Sequence, residues 1–245
     1  MTDGSVIVSG DNVALYASVG GGIELSNVVV EGVRLAGSDS SGTIEAKDGS
    51  TLTGDILHSG FAEGTLELIL SDSVWNGSVE ASGDIGVINV DLGNSQWNVT
   101  GDSNTNGKIT GDADSKIDFN GTTDTITVII DNLTGEPAIS MKPDDKLIIK
   151  NADGKFESSN PDVIEVIETE NGVEIISKGD GEAELKYSYI DEDGKIKEAT
   201  IKVVSGAGSQ TSGETSRGGG SSNCNTGVGA ALFALFGLAF IQKRK

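Results

Sequence analysis

Two segments of the chain share one pattern, Leu70-Ser-Asp-Ser-Val-Trp75-Asn-Gly-Ser78 and Leu92-Gly-Asn-Ser-Gln-Trp97-Asn-Val-Thr100, and their tryptophans lie 22 residues apart. A period of roughly 20 residues is typical of stacked units that bury their apolar side chains only against their neighbours. Successive side chains of a strand alternate between its two faces, so alternate residues of each unit would point inward. The repeat therefore predicts a parallel β-helix with Trp75 and Trp97 stacked in its core.

Short strands are predicted throughout residues 1–135. Runs such as Thr65–Leu70, Ile85–Val90 and Thr125–Ile130 are rich in β-branched and apolar residues. Gly, Asn, Asp and Ser separate them, and these residues favour turns. An ordinary antiparallel sandwich remains the alternative, because it also uses short strands joined by such turns.

Part of this region, about residues 60–135, resembles the passenger domains of pertactin-like autotransporters. The element from Leu92 to Ser103, in which Asn-Val-Thr-Gly-Asp-Ser follows Trp97, is similar to the recurring tryptophan-containing coil of that family. The resemblance implies a right-handed parallel β-helix that is displayed outside the cell and is often adhesive. The sequence departs from the family because no C-terminal β-barrel pattern follows the coils.

The composition changes near residues 135–140. All three prolines lie between residues 137 and 161, and lysine and glutamate become dense. Residues 137–205 are predicted to form antiparallel strands joined by turn dipeptides such as Asn171-Gly172 and Asp193-Gly194. The sequence therefore predicts a second, small β-domain.

This second domain resembles bacterial Ig-like (Big) domains. The likeness rests on the Ser-Asn-Pro-Asp-Val turn within Phe156 to Ile164 and on Gly179-Asp-Gly181 before an alternating strand. It implies a β-sandwich that acts as a spacer or a binding unit on a surface protein, and not as an enzyme.

The last 40 residues contain two further segments. Residues 206–223 are rich in Gly and Ser and are predicted to be a flexible linker. Residues 224–245 begin with Cys224 and contain an apolar run from Val228 to Ile241, which predicts a short C-terminal apolar helix. The run is shorter than the ~20 residues of an ordinary spanning helix. The basic flank that follows it is typical of a cytoplasmic side and consists of Lys243, Arg244 and Lys245.

The tail, residues 218–245, resembles the Synerg-CTERM sorting tails of bacterial surface proteins, which are akin to the GlyGly-CTERM tails read by rhombosortase proteases. The resemblance implies a membrane segment that serves as a processing signal, with Cys224 as the processing or lipid-attachment position. An inert free thiol is the alternative. The sequence starts without a signal-peptide pattern, so we expect it to be part of a longer reading frame.

The composition restricts the chemistry. The chain carries 38 acidic and 17 basic residues, a net charge of -21, which argues against a nucleic-acid partner because nucleic acids are neutralised by clustered Lys and Arg. A single cysteine cannot form an internal disulfide. The single histidine, His58, is interpreted as a turn residue, and it leaves little room for Ser-His-Asp or histidine–metal chemistry.

One pattern suggests a metal site. Asp102-Ser-Asn104-Thr-Asn106-Gly107 matches the start of a calcium-binding loop, in which alternate side chains supply oxygen ligands. The glutamate expected at the twelfth position is missing, since Ala113 stands there. A solvated turn is therefore the favoured interpretation, and Ca²⁺ is the one candidate cofactor.

These observations predict a non-enzymatic stalk or adhesin of the cell surface, exported to the envelope and either anchored or released after tail processing. Its expected partners are a sorting protease of the rhombosortase type, the membrane, and an unidentified glycan or protein ligand. The alternatives are a secreted carbohydrate-active β-helix enzyme whose catalytic part lies upstream and a calcium-stabilised binding module. The first 115 residues hold three basic residues, too few for a groove that neutralises uronates: Arg34, Lys47 and Lys108.

Overall fold

A computed structural model describes residues 2–7, 13–17, 20–38, 41–58, 63–81, 86–152, 154–190 and 193–206. Within these ranges every regular element is a β-strand, and none is a helix. The strands are β1 (Thr2–Ile7), β2 (Val13–Tyr16), β3 (Gly21–Ser38), β4 (Gly42–Lys47), β5 (Thr51–His58), β6 (Gly64–Ser71), β7 (Val74–Gly77), β8 (Val79–Ala81), β9 (Gly86–Gly93), β10 (Gln96–Val99), β11 (Ser103–Asn104), β12 (Lys108–Gly111), β13 (Lys116–Asp118), β14 (Thr127–Ile130), β15 (Asn132–Gly135), β16 (Ala138–Met141), β17 (Lys146–Ile149), β18 (Phe156–Ser158), β19 (Ile164–Thr169), β20 (Gly172–Ser177), β21 (Gly181–Ile190) and β22 (Ile196–Ser205).

Strands β1 to β17 form a parallel β-solenoid, so the predicted parallel β-helix is confirmed. Its strands stack in three columns, which successive coils visit in the same order. Column 1 contains residues 21–26 of β3 and then β4, β6, β9, β12 and β15. Column 2 contains β1, residues 26–31 of β3, residues 51–53 of β5, and then β7, β10, β13 and β16. Column 3 contains β2, residues 34–38 of β3, residues 56–58 of β5, and then β8, β11, β14 and β17.

Residues one coil apart stay aligned along each column, so like side chains stack. The inward row of column 2 is fully buried and consists of Val30, Leu52, Trp75, Trp97, Ile117 and Ile139. Full burial of one such aliphatic side chain contributes about 1.5–3 kcal/mol. The core is therefore a continuous apolar rod, and Trp75 and Trp97 lie inside it as the repeat predicts.

The corner between columns 1 and 2 repeats one local structure. Its first residue has a positive φ, between 48° and 57°, a conformation that Asn and Asp tolerate better than other residues: Asn27, Asp48, Asp72 and Asn94. In three of these coils a buried serine follows and satisfies backbone groups. The N–H of Ser73 donates to Oγ of Ser95 at 3.0 Å, and that hydroxyl donates to the carbonyl of Gly93 at 2.8 Å.

His58 lies in the solenoid core, so its interpretation as a turn residue was wrong. It ends β5 and is fully buried. Its register partner in the next coil is Ala81, and a Cβ added to Gly86 would lie 2.6 Å from the His58 Nδ1. Two small neighbours therefore provide the space that the imidazole occupies.

Strands β18 to β22 form an antiparallel module at the end of the solenoid. The antiparallel pairs are β17–β20, β19–β20, β18–β21 and β21–β22. Strand β22 also pairs in parallel with β16. Parallel ladders cross the composition change near residues 135–140, because β13 pairs with β16 and β14 with β17. The stacked columns thus extend to Ile149, and assignment of the module to the Ig-like family stays a prediction.

Candidate functional site

The outward side chains of column 2 form an in-register polar row across five coils. We call it the polar row, and it consists of Thr53, Asn76, Asn98, Asp118 and Ser140, the last of which is buried. Register pairing places each residue one strand spacing, about 4.8 Å, from the next. These positions alternate with the buried core row, which explains why each asparagine follows a tryptophan in the two quoted repeats.

Hydrogen bonds order the first half of the polar row. The Asn98 Nδ2 donates to Oδ1 of Asn76 at 2.7 Å, and Gln96 Nε2 donates to Oδ1 of Asn98 at 2.6 Å. The Asn76 Nδ2 in turn reaches Oγ1 of Thr53 at 3.4 Å. These contacts link the two amide groups to each other and to the preceding coil. Stacked amides of this kind stabilise in-register strands.

A charged group lies in the second half of the row. The Lys116 Nζ contacts Oδ2 of Asp118 at 2.6 Å, while Asn120 donates to Oδ1 of Asp118 from its backbone N at 2.9 Å. Burial of the Asp118 carboxyl opposes ionisation, but the bonds from Lys116 and Asn120 outweigh it and hold the pKa of that carboxyl below its usual value. The Asn120 Nδ2 also donates to Oγ of Ser140 at 2.7 Å. The row therefore carries amide, hydroxyl and carboxylate groups in a fixed arrangement.

The predicted calcium ligands already accept hydrogen bonds within the protein. Oδ1 of Asp102 accepts from the backbone N of Thr127 at 2.8 Å. Oδ1 of Asn104 accepts from the backbone N of Asn106 at 3.3 Å, and Oδ1 of Asn106 accepts from the Lys150 ammonium at 3.0 Å. A cation that used all three oxygens would have to displace these donors, including one positive charge. The site therefore stays a prediction, and the turn remains the favoured interpretation.

Calcium at this turn would also need a wider ligand set. Across the part of the chain that the structure describes, no group of three or more His, Cys, Asp or Glu side chains is placed to hold a metal ion. Asp112, the acidic residue five positions after the loop, accepts a hydrogen bond from the Ser115 hydroxyl at 2.5 Å and one from the Asn94 backbone N at 2.9 Å. Its carboxylate is therefore part of the neighbouring corner.

An open groove with a volume of about 980 Å³ lies on the antiparallel module. Residues 150–152, 154 and 155 line one side of it, and residues 168–173 line the other. One of its lysines, Lys155, pairs with Glu157 at 2.5 Å, and both side chains are exposed. The other, Lys150, donates a hydrogen bond to Oδ1 of Asn106. The groove is thus a polar surface depression between two turns.

No family model matches the chain. None of the curated proteins and none of the solved structures compared with it shows a significant similarity. The function must therefore be inferred from the residues and their geometry.

The predicted processing and membrane residues lie outside the described residues. They are Cys224, Val228, Ile241, Lys243, Arg244 and Lys245. Within the described ranges, the structure contains no helix with the length and apolar character needed to cross a membrane.

Sequence reasoning missed two parts of the site. The polar row was detectable, because Asn76 and Asn98 stand at the same offset from the two tryptophans. The repeated local pattern of the corners was also present within the quoted repeats, as Asp72-Ser73 and Asn94-Ser95. The contacts of Asn120 with Ser140 and of Lys150 with Asn106 had no local signal, because these partners lie 20 and 44 residues away.

Proposed function

We propose that this chain belongs to a non-enzymatic stalk or adhesin-type protein of the bacterial surface. Its solenoid supplies a rigid rod, and its polar row contacts an extended glycan or protein ligand. The observation that carries the proposal is the unbroken, in-register row from Thr53 to Asp118 on one outer face of the solenoid, which the buried Ser140 continues in register.

The row suits an extended ligand better than a compact one. The four positions from Thr53 to Asp118 are exposed or partly exposed, cover about 14 Å at a spacing of about 4.8 Å, and carry side chains with both donors and acceptors. One hydrogen bond contributes only about 0.5–1.5 kcal/mol, so useful affinity requires several contacts along the row. A linear glycan provides repeated hydroxyl groups for such contacts.

The family resemblances complete the proposal. The solenoid is a right-handed autotransporter-like β-helix, and the antiparallel module is an Ig-like sandwich. The tail is a sorting signal with Cys224 at the processing position and a membrane segment from Val228 to Ile241. A protease of the rhombosortase type reads it, and the protein is exported and either anchored or released.

The ligand proposal is tested by binding of the full chain to a glycan array and to bacterial or host cells. Asn76→Ala and Asn98→Ala should lower binding at least tenfold. Thr110→Ala is the matched control, because Thr110 stacks on Thr134 in column 1 with their hydroxyls 2.8 Å apart. Equal binding by the row variants, or cleavage of a bound glycan, would contradict the proposal.

The tail proposal is tested separately by cell fractionation. Cys224→Ala in the complete protein should abolish processing or anchoring, and Cys224→Ser is the closest control in size. Anchoring that is unchanged in both variants would refute a role for the thiol.

A further inference from the structure

The antiparallel module contacts the end of each solenoid column, and it pairs strand to strand with two of them. Strand β22 pairs with β16, the last strand of column 2, and β20 pairs with β17, the last strand of column 3. In column 1 the last strand is β15, and the Tyr187 hydroxyl donates to the carbonyl of its Gly135 at 2.5 Å. Elements that come from different parts of the module therefore contact each column end.

Further contacts fix the module in this position. The backbone N of Gly206 donates to the carbonyl of Met141 at 3.0 Å. At the neighbouring column, Asp144 N donates to the Ser177 carbonyl at 2.8 Å, and Ser177 N donates to the Asp145 carbonyl at 3.1 Å. The buried hydroxyls of Ser177 and Ser205 hydrogen-bond to each other, which ties β20 to β22.

Tyr187 is held rigidly where it meets column 1. It is buried, and its ring stacks on Phe156 with centroids 5.0 Å apart. Burial raises the pKa of the Tyr187 hydroxyl, so the group stays protonated and donates to Gly135 at neutral pH. The aromatic pair thus places a donor over the last carbonyl of column 1.

An uncovered coil end would be an adhesive surface. Unpaired edge strands offer rows of N–H and C=O groups that pair with strands of other molecules, and terminal units of repeat proteins cover such ends. We propose that the β18–β22 module is an end cap, which prevents the C-terminal coil of the solenoid from adding strands of a second copy of this chain. This role is independent of the ligand proposed for the polar row.

The backbone N–H groups of β16 and β17 alternate between the preceding coil and the module, so amide exchange can test the contact with the module separately. Ala138 N donates to the Ser115 carbonyl inside the solenoid, and Lys146 N donates to that of Ile126. Successive peptide groups of a strand point to opposite sides. The backbone N–H groups one and three residues after each of these positions therefore face the module: those of Ile139 and Met141 face β22, and those of Leu147 and Ile149 face β20.

The experiment compares two valines of β22 in the full chain. Val203 is fully buried and lies opposite Ile139, while the adjacent Val204 lies opposite Ser140 and is only partly buried. Val203→Asp places an unpaired charge in the contact with column 2, which is costly. Val204→Asp is the matched control. Amide hydrogen exchange by NMR and light scattering at increasing concentration are measured under reducing conditions.

If the module is an end cap, Val203→Asp should change amide exchange only where the module meets the solenoid. Exchange at Ile139 and Met141 should become at least about tenfold faster, whereas Ala138 and Lys146 stay protected, and the variant should form concentration-dependent oligomers. In Val204→Asp the amides of Ile139 and Met141 should stay protected, and the protein should stay monomeric. Three outcomes would overturn the proposal: a variant that loses this protection yet stays monomeric, loss of protection at all amides together, or unchanged exchange throughout.

Discussion

The indole rings of Trp75 and Trp97 lie parallel in adjacent coils, with 4.8 Å between their centroids and 9° between their planes. Each indole N–H donates to a glycine carbonyl of the preceding coil, Trp75 to Gly54 at 3.0 Å and Trp97 to Gly77 at 2.9 Å. One side chain type thus supplies apolar area, ring stacking and a hydrogen bond at the same point of two coils.

Truncation of this stack should be the most damaging single change in the core. Trp97→Ala is expected to lower the free energy of unfolding by about 3–5 kcal/mol, because it leaves a large cavity between Trp75 and Ile117. Urea denaturation followed by circular dichroism measures the loss. Gln96→Ala, at the adjacent half-exposed position, should cost less than about 1 kcal/mol. Similar losses in both variants would show that Trp97 is not in the core.

The glycine of the first repeat should tolerate no side chain. A Cβ at Gly77 would lie 2.0 Å from the Gly54 carbonyl oxygen and 2.6 Å from Nε1 of Trp75. Since the first neighbour is backbone, Gly77→Ala should destabilise the fold by at least about 1–3 kcal/mol. Gly22→Ala is the control, because nothing lies within 4 Å of its added Cβ. If both variants melted at the temperature of the parent, Gly77 would not lie against the Gly54 carbonyl.

Stability should decrease in acid partly through Asp118. The pKa of its carboxyl is lower in the folded state than its ordinary value, so its stabilising contribution is complete above the unfolded pKa of about 4. The contribution is lost as the pH falls through the lower folded value.

The measurement is the urea midpoint between about pH 7 and pH 2. Asp118→Asn should be less stable than the parent at neutral pH and should lose less stability in acid. Glu80→Gln, at an exposed position of column 3, should follow the parent curve. If the urea midpoints of the parent and of Asp118→Asn fell in parallel with pH, Asp118 would not contribute to the loss of stability in acid.

The turn at residues 102–107 should not depend on calcium. The Lys150 ammonium donates a hydrogen bond to Oδ1 of Asn106, so this oxygen is not free to bind a cation. We therefore expect millimolar Ca²⁺ to leave the melting temperature of the full chain unchanged. Calorimetric titration provides a second readout. A rise in melting temperature that Asp102→Asn abolishes would establish the calcium site and contradict this expectation.

The sequence was most informative where the pattern is local and periodic. The spacing of Trp75 and Trp97 predicts stacked coils because residues one coil apart must share an environment. The spacing alone could not give the full register, since aligned partners are separated by 19 residues at Thr127 and Lys146 but by 25 at Ser103 and Val128. These differences come from turns of unequal length at the corners.

Long-range pairing explains where the structure differs from the expectations drawn from the sequence. Strand β22 returns to pair with β16, and Val203 aligns with Ile139 across 64 residues, a contact that no local pattern specifies. A composition change near residue 137 therefore suggested a separate spacer, although the ladders continue through it. His58 was similarly misjudged, because its burial depends on the small side chains of the next coil.

The register of adjacent coils is the central claim, and disulfide trapping tests it most directly. In a Cys224→Ala background, N76C and N98C would lie one strand spacing apart, about 4.8 Å, within the range of Cα separations that a disulfide spans. T53C and N98C would lie two spacings apart, about 10 Å, beyond that range. Mild oxidation should close an intramolecular disulfide in the first pair and not in the second, as seen by mass spectrometry after alkylation. Failure of the first pair to close, or efficient closure of the second, would contradict the stacked-coil structure.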